Sequence, residues 1–185
     1  MRIIAGKYKS RKLIAPKGDT TRPTSDRARE SLFNVLQNMV DFEGMSVLDL
    51  FAGSGAFAYE ALSRGADHAT LVDKNRNAIQ AIKANAEALE VVNNIEIVQK
   101  DVYSWYTKPD ARNPIPDLIF ADPPYDDPRT LKSLPAAIFG SRLLNTDSVV
   151  IIEHRSGSSI EIPLNALLIK ELQAGEAVFT ILKSS

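Results

Sequence analysis

The chain has 185 residues, enough for one domain with a full core, and an ordinary composition of 44% hydrophobic and 24% charged residues. It has no cysteine and only two histidines, so disulfides and cysteine-ligated metal are excluded, and no metal is expected in its chemistry. The net charge of −1 conceals an asymmetry: residues 1–29 carry nine Lys/Arg against two acids, or +7, and the remainder carries 13 against 21, or −8.

The start, Met1-Arg2-Ile3-Ile4-Ala5-Gly6-Lys7, lacks the long apolar core of a secretion signal, and no apolar run approaches a membrane span. A cytoplasmic protein is therefore expected. Residues 2–5 and about 11–15 read as short strands around a turn at 6–10, forming a basic β-hairpin. Its Lys and Arg residues alternate with Ile3, Ile4, Tyr8, Leu13 and Ile14, a pattern suited to a polyanionic partner met at one end. A loop follows over 16–23. Thr24 or Ser25 is a helix N-cap, and Ala28, Leu32, Val35, Leu36 and Met39 share one face of a helix running to about residue 40. From residue 46 short apolar strands alternate with helices. The strands are 47–51, 69–73, 95–100, 118–121 and 148–153, and the helices about 54–64, 75–90 and 128–139. That alternation predicts an α/β fold with a doubly wound, mostly parallel sheet. Strands at 166–172 and 178–182 add an antiparallel hairpin at its edge.

Asp49-Leu50-Phe51-Ala52-Gly53-Ser54-Gly55 leaves the first strand of this alternation and enters a helix. Glycines there let a ligand approach the backbone at a helix N-terminus. Asp73 ends the next strand, where a ribose-binding acid sits in nucleotide folds. A dinucleotide would bring a pyrophosphate against Asp49, and like charges repel. S-adenosylmethionine carries an ammonium and a sulfonium and no phosphate, so it fits better. Asp49 would face its positive end, Asp73 the ribose hydroxyls and Asp101 the adenine amino group.

Asp122-Pro123-Pro124-Tyr125 follows the apolar run 118–121 and faces the same crevice. Proline lacks an N–H, so this corner offers carbonyls without competing donors. The arrangement suits a planar group bearing an amine. Asp122 and the Pro123 carbonyl would accept from both amino hydrogens, and Tyr125 would stack on the ring. A lone pair delocalised into a ring is a poor nucleophile, and such acceptors localise it. These residues name amine methylation and leave adenine, cytosine and guanine open.

Taken together these segments resemble the bacterial RsmD-type methyltransferases, which methylate a guanine N2 in 16S ribosomal RNA. The likeness rests on Met1-Arg2-Ile3-Ile4-Ala5-Gly6-Lys7-Tyr8 with Arg11-Lys12-Leu13, and on Thr21-Arg22-Pro23-Thr24-Ser25-Asp26-Arg27-Ala28-Arg29-Glu30-Ser31-Leu32-Phe33. It also rests on Asp49 to Ala56, on Glu60-Ala61-Leu62-Ser63-Arg64-Gly65-Ala66, and on Asp122 to Tyr125. It implies a class I S-adenosylmethionine-dependent methyltransferase: a Rossmann-like seven-stranded sheet, mostly parallel with an antiparallel edge strand, plus the N-terminal β-hairpin. Residues 1–23 would be an RNA-contacting extension and 24–185 the methyltransferase domain. The implied catalytic set is Asp122, Pro123, Pro124 and Tyr125. The implied cofactor set is Asp49, Phe51, Ala52, Gly53, Ser54, Gly55, Asp73 and Asp101, with Thr24 and Arg27 laid over the pocket. Arg2, Lys7, Lys9, Arg11, Lys12 and Arg22 would grip RNA of the small ribosomal subunit or its assembly intermediate, the protein acting as a monomer and releasing S-adenosylhomocysteine. Two departures stand out: Ala58-Tyr59 where Gly-Leu is usual, and Ala174-Gly175-Glu176-Ala177-Val178 where Tyr-Gly-x-Thr is common. A DNA adenine-N6 methyltransferase, a regulatory module without catalysis and a dinucleotide oxidoreductase are the alternatives.

Overall fold

A computed structural model describes residues 1–18, 24–107, 115–125, 127 and 129–185. In chain order the elements are α1 (Asp26–Leu36), β1 (Ser46–Leu50), α2 (Ala56–Ser63), β2 (His68–Asp73), α3 (Arg76–Leu89), β3 (Ile95–Gln99), α4 (Val102–Trp105), β4 (Leu118–Ala121), α5 (Arg129–Phe139), β5 (Val149–Arg155), β6 (Ala166–Ala174) and β7 (Ala177–Ser184). A 3-10 turn at Val92–Asn94 and the short α4 have no apolar period long enough to be read from sequence.

The sheet has seven strands in the order β3-β2-β1-β4-β5-β7-β6. Strands β1 to β5 run parallel, and β7 lies antiparallel to both β5 and β6. The expected antiparallel edge is thus a β6–β7 hairpin whose second strand joins the sheet. Strand order reverses between β1 and β4, where Leu50 is in register with Ala121, so a crevice opens beyond their carboxyl ends.

Because side chains alternate across a strand, the sheet divides the core into two layers. Val47, Ala69, Leu71, Leu118, Phe120, Val149 and Ile151 pack with residues of α1, α2 and α3. Leu48, Leu50, Val72, Ile119, Ala121, Val150 and Ile152 pack with Trp105 of α4 and Leu134 and Ile138 of α5. The first layer is rich in rings: Phe120 stacks on Phe57 at 5.1 Å and meets Phe33 of α1 at 5.5 Å. Pro135 lies inside α5, and the Leu131 carbonyl it leaves without a helical donor accepts from Glu161 N–H at 2.8 Å.

The N-terminal hairpin differs from expectation. Its ladder is a single antiparallel bridge, Arg2 to Lys12, in place of strands at 2–5 and 11–15. The backbone groups that a longer ladder would use are bonded to helices instead. Ile4 and Ala5 N–H donate to the Glu60 carboxylate at 2.7 and 3.0 Å, and Tyr8 N–H donates to Ser63 Oγ at 2.9 Å. Ile14 N–H and carbonyl both pair with the Asn85 amide. Ile3 and Leu13 are buried in the α1–α3 layer. Gly6 is fixed by this docking: its φ is +80°, and a Cβ there would stand 1.8 Å from the Ser63 carbonyl oxygen. Among the described residues no helix is long and apolar enough to cross a membrane.

Candidate active site

The period of two that sorts the core also sorts the acids. Asp49 follows Val47, Asp73 follows Leu71, Asp122 follows Phe120 and Glu153 follows Ile151, each by two residues. All four therefore continue the α1–α3 face of β1, β2, β4 and β5 at the carboxyl end of the sheet. An apolar residue at any of these positions would extend the core. Carboxylates there line the crevice.

Asp49 is 1% exposed. Its Oδ2 accepts from Ala58 N–H in the first turn of α2 at 3.1 Å, while Oδ1 is buried without a hydrogen-bond partner among the described residues. Burial holds its pKa well above the usual carboxylate range; the Ala58 N–H opposes that shift and the Asp73 charge adds to it. Asp73 accepts from Gly53 N–H at 2.9 Å and from Asn75 N–H at 2.8 Å, which ties the glycine loop to the end of β2. The two loop glycines have different reasons. Gly55, with φ +78°, N-caps α2, and a Cβ on it would collide with Tyr59 and Leu71. Gly53, with φ +55°, meets almost nothing and leaves the face of the loop open. Tyr59, at one of the departures from the usual pattern, is wholly buried beneath Gly55 and donates to the Ile82 carbonyl at 2.6 Å.

Asp122 is half-buried and Glu153 only 4% exposed. The Thr24 hydroxyl lies between them, 3.2 Å from Asp122 Oδ2 and 2.7 Å from Glu153 Oε2. Tyr125 donates from its hydroxyl to Glu153 Oε1 at 2.8 Å. Burial first, then the Glu153 charge, raises the Asp122 pKa well above its usual range, against the Thr24 hydrogen bond. Burial raises Glu153 as well, opposed by its bonds from Thr24 and Tyr125. The Tyr125 hydroxyl is pushed up by burial and by the Glu153 charge. Pro123 is buried and Pro124 exposed. The Pro124 carbonyl accepts from Asp127 N–H, whereas no described residue donates to the Pro123 carbonyl.

None of the ion pairs among the described residues involves Asp49, Asp122 or Glu153. A buried carboxylate oxygen without a partner among the described residues, beside further acids and no described cation, is costly unless a cation arrives. This donor set suits a ligand bearing a sulfonium and an ammonium, and it opposes a pyrophosphate. S-adenosylmethionine therefore fits the residues present.

The family described as "Conserved hypothetical protein 95" matches residues 1–183. The chain belongs to this family. It is 38% identical over 163 residues to the Bacillus subtilis protein YlbH, covering 88% of this chain and 86% of the relative. It is 31% identical over 182 residues to the ribosomal RNA small subunit methyltransferase D of Escherichia coli K12, covering 98% of this chain and 88% of that one. The solved structure of the Escherichia coli protein yhhF superposes with a TM-score of 0.82 at 30% identity, over 100% of this chain and 98% of that one. The fold is that of S-adenosylmethionine-dependent methyltransferases, and the family is one of methyltransferase enzymes.

Not every residue expected at the site of this family member meets the others. Thr24, Asp122 and Tyr125 converge, with Asp49 and Asp73 along the same edge. Ser54 is 6% exposed and donates from its hydroxyl to Met1 Sδ at 3.3 Å, toward the hairpin. Phe51 takes φ +60° and meets Tyr103 edge-on at 5.7 Å, and Ala52 is buried beside it. Asp101 N-caps α4 through Ser104 N–H and lies 3.8 Å from the Lys74 ammonium. Arg27 is exposed on α1. Arg2, Lys7, Lys9, Arg11 and Lys12 are all exposed on the hairpin, and Arg22 lies outside the described residues. Glu153 went unremarked from sequence. Its signal was present: an acid two residues after a buried apolar residue of its strand, as Asp49, Asp73 and Asp122 are.

Proposed function

We propose that the chain transfers a methyl group from S-adenosylmethionine to the exocyclic N2 of a guanine in 16S ribosomal RNA, within the small subunit or its assembly intermediate, in the cytoplasm. The observation that carries this is the Asp122-Pro123-Pro124-Tyr125 corner opening on an uncompensated acidic crevice, in a chain matched nearly end to end by a named ribosomal RNA small subunit methyltransferase. S-adenosylmethionine supplies an electrophilic methyl group on a sulfonium. Asp49 and the open face of the Gly53 loop hold its positive end, and Asp73 its ribose. Asp122 and the Pro123 carbonyl accept from the amino hydrogens, localise the nitrogen lone pair and take up charge as it attacks. Tyr125, 41% exposed, offers a ring face to a base turned out of its helix while Glu153 holds its hydroxyl. The exposed cations of residues 1–12 meet phosphates. Guanine as the target rests on the relatives; amine methylation rests on the crevice.

Purified protein with tritiated S-adenosylmethionine and small subunits lacking the mark tests the reading. Label that is lost to RNase and maps to N2-methylguanosine is expected. Label in DNA alone, or none in RNA under conditions where the protein binds the donor, would overturn it.

A further inference from the structure

The proposed reaction needs the amino nitrogen to lose a proton, and the crevice holds a second buried carboxylate in line with the first. Asp122 Oδ2, Thr24 Oγ1 and Glu153 Oε2 form a chain with contacts of 3.2 and 2.7 Å. Thr24 has one hydroxyl hydrogen and two carboxylate neighbours, so it can accept from one as it donates to the other. We propose that Thr24 and Glu153 are the proton relay for methyl transfer, with Asp122 as first acceptor and Glu153 as the store. This rests on the methyltransferase reading above and adds residues to it.

The nitrogen lone pair forms the N–CH3 bond as the S–CH3 bond breaks, and that electron pair stays on sulfur. The proton on the now cationic nitrogen passes to Asp122 Oδ2. Asp122 hands it to Thr24 Oγ1 while the Thr24 hydroxyl hydrogen moves to Glu153 Oε2. Asp122 is ionised again and can hold the remaining N–H of the product, and the proton sits on a residue 4% exposed that cannot return it directly to the nitrogen. Glu153 is built for this duty. Its two bonds come from hydroxyls, Thr24 and Tyr125, and no guanidinium or ammonium pins it in the ionised form among the described residues. Of the titratable groups around the pair, Asp49 from β1 raises Asp122 further, Tyr125 after β4 donates to Glu153 and lowers it, and Glu176 from the β6–β7 turn acts on Tyr125; burial outweighs the hydrogen bonds, and both carboxyls lie above their usual range.

Thr24→Val removes the hydroxyl and keeps both carboxylates. Single-turnover methylation should slow at least tenfold while S-adenosylhomocysteine affinity stays within twofold, and Thr24→Ser should restore the rate to within threefold. Glu153→Gln removes the store, so it should slow single-turnover methylation as Thr24→Val does, and it should shift the acid limb of the rate to lower pH, because the like charge raising Asp122 is gone. A structural role alone would not move that limb. Wild-type turnover in Thr24→Val, a parallel loss of affinity and rate in it, or an unmoved acid limb in Glu153→Gln would each overturn the relay. Carboxyl 13C NMR of the wild-type protein provides a reading independent of turnover and of variant folding. Glu153 and Asp122 should titrate together above the usual carboxylate range, and a Glu153 signal that titrates alone and normally would also overturn the proposal. Failure of the wild-type protein to methylate RNA would instead count against the methyltransferase substrate reading.

Discussion

Two buried glutamates of this molecule teach opposite lessons. Glu60, wholly buried on α2, accepts from the Ile4 and Ala5 N–H groups and from Arg64 Nε at 2.9 Å. Every partner is an N–H donor and one is a cation. Glu153, buried on β5, has two hydroxyls and a second carboxylate for company. The first acid is compensated by the fold and fastens the hairpin to it. The second is paired with no cation among the described residues and stands in a crevice. Buried charge is costly unless paired, so the contrast separates an acid that serves the structure from one that serves a ligand.

The largest effect should come from the crevice. Asp122→Ala removes the acceptor aimed at the reacting amine; a loss of at least ~10³-fold in methyl transfer is expected, in line with deletion of a transition-state hydrogen-bond acceptor, with donor binding retained by calorimetry. The unfolding midpoint in urea should change little. At the other acid the pattern reverses. Glu60→Ala leaves the Arg64 guanidinium and two backbone N–H groups without their acceptor, and about 3 kcal/mol of stability should be lost in urea unfolding. Gly6→Ala attacks the same junction through the backbone and should lose about 2 kcal/mol, read the same way, because its Cβ meets the Ser63 carbonyl at a φ unfavourable to side chains.

Stability against pH sharpens the comparison further. The folded-state pKa values of Asp122 and Glu153 lie above their unfolded values, so the folded chain binds more protons. Their contribution is full below the ordinary carboxylate range and is lost as pH rises through the raised values. Unfolding free energies of the ligand-free protein from urea titrations at pH 5 to 8 should therefore fall more steeply than those of Glu153→Gln. A variant as steep as the wild type would show that the pair shares no charge strain. The smallest effect belongs to the exposed hairpin cations. Replacing Lys7, Lys9, Arg11 and Lys12 singly by Ala should weaken RNA binding modestly, each lost phosphate contact reducing the slope of log K against log salt by about 0.7 to 0.9.

Much of this was legible in the amino-acid order. Apolar runs alternating with amphipathic stretches marked the α/β sheet; the strand at Leu118–Ala121 was placed to the residue, and the other six strands of the sheet began and ended within two residues of their predicted limits. Asp122 and Tyr125 were found because a carboxylate and a ring flanking two prolines have a local chemical meaning. Glu153 was passed over because its meaning is not local: its two partners are Thr24 and Tyr125, 129 and 28 residues away. Thr24 was expected to lie over the cofactor and target pocket, and its hydroxyl reaches the two carboxylates of that crevice. The hairpin was overdrawn for a related reason. Alternation of apolar and basic residues predicts a ladder, but α2 and α3 compete for the same backbone donors through Glu60, Ser63 and Asn85, and they win.

The sequence by itself determined the periodicities, and with them the strands, the helices and the position of each acid after its apolar run. Those are properties of neighbours along the chain, set by the two- and 3.6-residue repeats. Only the tertiary structure decided which acids share a face, which one is matched by a guanidinium, and which two stand either side of a single hydroxyl. Strand order and register fix those distances, and charge compensation in a low-dielectric interior depends on distance through space.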